Sequence, residues 1–168
     1  MANTNVFRGS DATLTLAPSD PDAVEGKEAN DVIEGFQLSP VGRASDVEVY
    51  VQTDLKAYYE IGKIHPRQLK WGNVGISGKI GRAYINGALL RLLLGKGALA
   101  ARVNEPFAQP SFNLVLTIND PAAPGTNSVL TVHGVKLENW GYVLPEDDFI
   151  MESVSFKGLF ISVEDAQA

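Results

Sequence analysis

The chain has 168 residues, a length that fits one domain (1–168) and leaves no room for a second catalytic module. Hydrophobic residues make up 45% and charged residues 20%, so the chain can bury a core and global disorder is excluded. Cysteine is absent, which excludes disulfides, thiolate metal sites and thiol nucleophiles. Because the first ten residues lack an apolar signal region, we expect a soluble protein made in the cytoplasm.

The net charge of -6 is distributed unevenly along the chain. Residues 1–60 carry 4 basic and 11 acidic side chains, residues 61–104 carry 8 basic and none acidic, and residues 105–168 carry 2 basic and 9 acidic. Three interpretations are open: a nucleic-acid surface, a self-complementary surface that steers head-to-tail association, and charges that are solvated or neutralised within one fold. Only two aromatic residues interrupt the basic segment, which disfavours the first.

Apolar residues at every second position predict strands at 12–16, 46–52, 112–118 and 129–137. In the strand at 46–52, Val47, Val49 and Val51 face inward and the acidic residues face outward. Residues 18–30 are rich in Asp, Glu and Pro and are predicted to form a loop or arm, as are residues 95–109. Glycines recur at every third position from 72 to 81, which predicts a bent or bulged hairpin where backbones approach closely.

Only residues 82–94 show the spacing of a helix, with Gly95 placed to end it. The last strand is predicted at 149–163, and its apolar residues change from even to odd positions at Gly158. A glycine at such a change indicates a bulge or bend where the strand crosses to another sheet or turns a barrel corner. The predicted fold is therefore mainly β, a two-sheet sandwich or barrel with one flanking helix and long loops.

No combination of residues in the sequence indicates catalysis. The two histidines, His65 and His133, lie in no metal-ligand spacing and are predicted to be structural. The glycines near Ser77 and Lys96 match neither a nucleophile elbow nor a phosphate loop. Residues 146–148 are acidic but lack the ligand ladder of a calcium loop. We predict no catalytic, metal or cofactor site and expect that the protein is not an enzyme.

Two stretches resemble the tail tube proteins of tailed bacteriophages, especially those with contractile tails. The first runs from residue 69 to 84 and continues into the leucine-rich helix. The second runs from 135 to 159 and contains a leucine-proline-acidic turn at 144–146 and a Glu-Ser-Val-Ser-Phe run at 152–156. The resemblance implies a virion structural protein, assembled in the host cytoplasm, whose hexameric rings stack into a hollow tube. It also implies tail sheath, baseplate and terminator proteins as partners and DNA that passes through without specific binding.

Charge suggests where such a subunit would meet its cargo and its neighbours. A lumen lined with acids would not retain DNA, so Asp46 and Glu48 are candidate lumen residues. Basic residues are candidates for contact with the acids of a neighbouring copy, and these interface candidates are Arg67, Lys70, Lys79 and Arg82 facing Glu146, Asp147 and Asp148.

Other functions remain open from the sequence. The chain is also compatible with a tail terminator, a baseplate hub or a non-contractile tube subunit. A ligand-binding or carbohydrate-binding β-sandwich is a further possibility, in which exposed Trp71, Trp140 and Tyr142 would stack on a sugar.

Overall fold

The chain folds into a mainly β structure in the computed structural model, which describes residues 6–38, 41, 44–98, 102, 104 and 106–166. The strands are β1 (Ala12–Pro18), β2 (Ala44–Tyr58), β3 (Gln68–Ala83), β4 (Phe112–Asn119), β5 (Asn127–Val143), β6 (Met151–Gly158) and β7 (Phe160–Ala166). The helices are α1 (Val24–Gly35) and α2 (Ala88–Leu94), with short 3-10 turns at Gly9–Asp11 and Gly95–Ala98.

The strands form one antiparallel sheet in the order β1-β4-β5-β6-β3-β2, and β7 pairs with β5 beside this path. The sheet curls into a half-barrel. The prediction of a mainly β fold is confirmed, whereas the two-sheet sandwich is not. The predicted strand at 129–137 lies within a longer β5, which forms a hairpin with β4.

The curl is made where two neighbouring strands bend together. At Gly134, φ is +64°, a value that favours glycine, and the inward side of β5 changes from Val132 to Val135. Beside this bend β6 ends at Gly158, and the backbone N–H of Leu159 donates to the carbonyl of His133 at 2.8 Å. The predicted change of phase at Gly158 is therefore confirmed as the turn from β6 into β7.

The core lies on the concave side of the sheet, and both helices pack against it. Alternate residues of the strands supply most of it, because one side of each strand faces inward. Core residues from the strands include Leu14, Leu16, Ile76, Ile80, Phe112, Leu114, Val132, Leu137, Val154 and Phe156. From the helices come Ala29, Val32, Ile33, Ala88, Leu89 and Leu92.

The prediction of a loop at 18–30 is wrong, because residues 24–30 form the first half of α1. The helix is weakly marked in the sequence: Gly26 lies in its first turn, and no side chain caps its N-terminus. Its buried hydrophobic side chains, Ala29, Val32 and Ile33, have helical spacing but begin only near the end of the predicted loop. In the predicted loop at 95–109, the described residues contain one 3-10 turn and no other regular structure.

The predicted helix at 82–94 is correct at its end and wrong at its start. Gly95 follows the last residue of α2 with φ +57°, as predicted. Arg82 and Ala83, however, belong to β3, because they pair with Glu152 and Met151 of β6. Pairing with a neighbouring strand thus overrode a local pattern that suits a helix.

The prediction for the glycine series is confirmed on β3. The β2–β3 register shifts between Thr53 and Leu55, beside Gly72. Further along, Gly78 lies between the backbone of Glu48 and the ring of Phe156, where a Cβ atom would collide with both.

We expect Gly78→Ala to lower the free energy of unfolding by about 1–3 kcal/mol, because neither the β2 backbone nor the buried ring can move away freely. Gly141→Ala is the matched control in the same sheet, since a Cβ there meets nothing within 4 Å. It should change the free energy of unfolding by less than about 0.5 kcal/mol. Urea unfolding measures both, and equal midpoints would contradict the close packing at Gly78.

Candidate assembly surfaces

A long hairpin extends beyond the core. It consists of residues 51–75, which are the second half of β2, the loop at 59–67 and the first half of β3, and we call it the arm. Every residue of the arm except Glu60 is exposed. Its paired part reaches about 23 Å from Val51 to Tyr58, at 3.3 Å per residue. A two-stranded ribbon of this kind is only marginally stable in water by itself, so the arm is a candidate for contact with another protein surface.

The two sides of the arm differ in polarity. On the side that continues the core face, Leu55 lies opposite Trp71 and Thr53 lies opposite Val74. Leu55 is 60% exposed and Trp71 is 69% exposed. The other side carries polar pairs such as Lys56 opposite Lys70. Large apolar side chains exposed next to each other in this way make this side of the arm a candidate interaction site.

A second exposed apolar surface lies at the far end of the same strands. It consists of residues 84–85 and 142–149, and we call it the end patch. The rings of Tyr84 and Tyr142 stack with centroids 5.4 Å apart, and Leu144 and Phe149 are 65% and 82% exposed. The turn within it holds the three exposed acids Glu146, Asp147 and Asp148.

The basic residues of segment 61–104 do not form one surface. Arg67 forms an ion pair with Glu60 inside the arm, at 3.3 Å, and Lys96 pairs with Glu28 of α1 at 3.5 Å. The guanidinium of Arg91 lies over the ring of Phe36, 5.8 Å from its centroid. Lys70 stays exposed on the arm. This dispersal disfavours a single nucleic-acid surface.

Arg82 requires a correction, because it is completely buried and pairs with Glu152 of β6 in the same chain. Glu152 is also buried and accepts a 2.8 Å hydrogen bond from Nε1 of Trp140. Arg82 in turn donates to the carbonyl and the side-chain oxygen of Asn86, and the same side-chain oxygen accepts from the backbone N–H of Ala88 at the start of α2. Arg82 therefore cannot face a neighbour's acids. The other interface candidates are exposed and stay predictions.

The lumen candidates lie on the convex side of the sheet. Asp46 and Glu48 are exposed on β2, and the hydroxyl of Tyr50 donates to Glu48 at 2.9 Å. This hydrogen bond to a carboxylate raises the pKa of Tyr50 above its ordinary value. Lys79 of β3 lies directly opposite Glu48. Glu48 is predicted to line the lumen and Lys79 to contact a neighbouring copy, so these two predictions concern one and the same surface.

We call this surface the polar face. It consists of the outward side chains of β6, of the second half of β5 and of the parts of β2 and β3 that lie outside the arm. Small and polar residues dominate it, such as Ser77 on β3 and Ser155 on β6. Lys157 on β6 lies 3.5 Å from a carboxylate oxygen of Glu138. Lys79 and Lys157 thus each have an acidic neighbour.

The aromatic residues do not support a single sugar platform. Trp71 lies on the arm, whereas Trp140 and Tyr142 lie near the end patch at the other end of the strands. Trp140 is partly buried and uses its N–H on Glu152. His133 stacks on Phe160 and contacts the Ser162 hydroxyl, so its role in the fold is structural.

In the part of the chain that the structure describes, no three His, Asp or Glu side chains converge as metal ligands would. Neither of the described helices is long and apolar enough to cross a membrane.

The fold has close counterparts among solved structures, although no protein-family model and no curated protein matches the sequence. It is similar to a chain of the anti-feeding prophage tube-terminating cap, with a TM-score of 0.64 and 8% identity over 99% of this chain and 95% of that one. For a chain of the sheath-tube complex of the PVC extracellular contractile injection system, the TM-score is 0.63 and the identity 6%, over 96% of this chain and 93% of that one. For the SPP1 tail tube, the TM-score is 0.58 and the identity 9%, over 96% of this chain and 80% of that one.

The chain has a tail-tube fold. This supports the resemblance to tail tube proteins that the sequence indicated. The tail-tube fold occurs both in a tube and in a tube-terminating cap, so the fold alone does not separate these two roles.

The sequence points to charged residues of both surfaces, Arg67 and Lys70 on the arm and residues 146–148 on the end patch, but not to their apolar parts. A signal for the arm exists, because apolar residues alternate with polar ones at 53–57 and 69–71 around a basic loop. The same alternation is typical of a strand with one side in the core, and only the position of the hairpin beyond the core distinguishes the two. The end patch is assembled from segments 57 residues apart, so no local pattern marks it.

The buried ion pair yields a stability prediction. Arg82→Met leaves the Glu152 carboxylate buried without its cation and should lower the free energy of unfolding by about 3–5 kcal/mol. In Arg82→Met/Glu152→Gln the loss should be smaller than in the single variant, since no buried charge remains and Trp140 keeps an acceptor.

The control for this prediction is Arg67→Met, which breaks the exposed pair with Glu60 in the arm. It should cost no more than about 1 kcal/mol. Urea unfolding at a concentration where the protein is monomeric measures all three variants. Equal losses for Arg82→Met and Arg67→Met would contradict the structural role of the buried pair.

Proposed function

We propose that the chain is a structural subunit of a tail tube, in which copies close into hexameric rings and the rings stack into a hollow conduit inside a sheath. In this role its partners are further copies of itself and the sheath, baseplate and terminator proteins of the particle tail. The role is mechanical and needs no catalytic residues. The hexamer, the sheath and the passage of DNA come from the sequence resemblance.

The observation that carries this proposal is the open pair of edges on the β2-β3-β6-β5 part of the sheet. β2 ends the strand order, so its outer edge has no strand partner among the described residues. The second half of β5 likewise has no described strand on its other side, because β4 pairs with β5 only as far as Val135. Free edges of this length are templates for pairing with another chain.

Pairing of these edges between copies explains how a ring could close. The edges differ from each other, so the contact is heterologous: the β2 edge of one copy meets the β5 edge of the next. A heterologous contact closes into a ring when its rotation divides a full turn. The sheet would then continue from copy to copy, with the polar face on one side of every copy.

The polar face suits the lining of a conduit. Phosphates bind where unpaired lysines and arginines cluster, because they release counterions there. On this face Lys79 lies opposite Glu48, and Lys157 lies near Glu138. A lining whose cations are matched by acids would let DNA or another cargo slide without being held.

A tube terminator is the second candidate, because the tube-terminating cap of the anti-feeding prophage shares the fold. A terminator would form one ring and stop there, whereas a tube subunit would form stacks of unlimited length. Negative-stain electron microscopy of the purified protein separates the two. A monomer at every concentration and salt condition would contradict both.

The ring contact can be tested with two proline variants on β2, Tyr50→Pro and Val51→Pro, at neighbouring half-exposed positions. Alternate residues direct their backbone groups to opposite edges of a strand, so one proline breaks the β2–β3 ladder and the other removes only an outer-edge donor. The variant that keeps the wild-type urea midpoint should lose ring formation. Normal rings from that variant would contradict pairing through the β2 edge.

The lining can be tested by reversing its acids. Tubes of Asp46→Lys/Glu48→Lys assembled with labelled DNA should protect it from nuclease, in amounts that fall steeply with salt. The control, Asp31→Lys/Glu34→Lys, makes the same charge change at exposed positions of α1, away from the polar face. Equal protection by both variants would contradict the placement of Asp46 and Glu48 in the lumen.

A further inference from the structure

We propose that the arm of one copy binds the end patch of the next copy, so that copies join head to tail along the direction of β3. This inference rests on the proposed tube function and names the partner surface for the arm.

The arm and the end patch lie at opposite ends of one strand. β3 begins at Gln68, inside the arm, and ends at Ala83, beside Tyr84 of the end patch. The backbone N–H of Tyr84 donates to the carbonyl of Ile150 at 2.9 Å, which joins the two segments of the patch. Fifteen residue steps separate Gln68 from Ala83, at most about 50 Å. Copies placed in line therefore bring the arm of one copy to the end patch of the next.

Both surfaces have the character of an unpartnered interface. The apolar side of the arm exposes Leu55, Leu69 and Trp71 by 60–69%. The end patch exposes Val143, Leu144 and Phe149 by 65–82%. Aromatic and branched residues of this kind are the usual centre of a protein interface. An arm that extends beyond the core can lay its apolar side on the patch without rearrangement of the core.

Opposite charges border the two apolar surfaces. The arm carries four basic and two acidic side chains, and the end patch carries three acidic and no basic side chains. Both acids of the arm, Asp54 and Glu60, have a cation within 4 Å in the same hairpin. Among the ion pairs of the described residues, none includes Lys63, Lys70 or an acid of the patch. Such complementary charges steer association and fix its register.

β7 offers a rival surface, because Leu159, Phe160 and Val163 are exposed and Glu164 lies beside them. The position of β7 in the sheet argues against β7 as the partner of the arm. β6 pairs its last residue, Gly158, with Ile76, at the base of the arm, and β7 follows directly. β7 therefore begins at the end of the sheet from which the arm leaves. A copy placed in line presents its other end, where the end patch lies.

The absence of cysteine allows a direct test by disulfide cross-linking. Leu69→Cys and Leu144→Cys place one thiol on the arm and one on the patch, both at exposed positions. Oxidation of the double variant should give a ladder of dimers, trimers and longer chains on a denaturing gel, because every copy carries both partners. Each single variant should give dimers at most. Leu69→Cys/Val163→Cys is the control, and it should give no ladder.

Charge reversal provides a second, independent test. Lys63→Glu, in the loop at the tip of the arm, should raise the protein concentration needed for stacking about tenfold, and so should Asp147→Lys on the end patch. The variant that combines both changes should recover stacking, because the opposite charges face each other again.

Each outcome supports or overturns the inference. Single rings that do not stack in the charge variants, with stacking restored in the combined variant, support it. Tubes that form normally without a cross-linked ladder overturn it and leave the tube function intact. A ladder from the Val163 control without one from Leu144 overturns it in favour of β7. Failure of every variant and of the wild type to assemble overturns both the inference and the tube function.

Discussion

The ion pair between Arg82 and Glu152 is the interaction on which the end patch depends. Two charges are taken out of water there, which is tolerated only because each has further partners. Arg82 reaches Asn86 ahead of α2, and Glu152 reaches Trp140 on β5. The pair thus joins β3, β6, β5 and the start of α2 directly beneath the end patch. Tyr84 and Tyr142 can stack at the surface because the strands beneath them are fixed.

The length of β3 gives the subunit two different ends. One end of this strand lies in the core between β2 and β6, where Gly78 allows close contact with the Phe156 ring. The other end leaves the core and carries the apolar side of the arm into water. Exposed apolar surface is a liability for a protein that stays monomeric. In a protein that assembles, the same surface supplies the free energy of association.

The structure distributes the charges among four environments. Of the basic segment, Arg82 is buried, Arg67 is paired within the arm, Lys79 lies opposite Glu48, and Lys70 is exposed on the arm. Part of the charge is therefore neutralised within one fold, and another part is available to a second copy. Neutralisation within one fold holds for Arg67 and Arg82, and the self-complementary surface stays a prediction for exposed residues such as Lys70. A count of charges along the chain could not separate them.

The sequence by itself determined the mainly β class, the strands with alternating apolar residues, the turn at Gly158 and the close backbone approach at the glycines of β3. These features depend on local periodicity and on what glycine permits, which one segment can express. Only the tertiary structure decided the start of α2, the presence of α1, the burial of Arg82 and the two assembly surfaces. Each of these depends on a partner distant in sequence: Arg82 is buried because Glu152 lies opposite it, and Leu55 is exposed because its hairpin extends beyond the core.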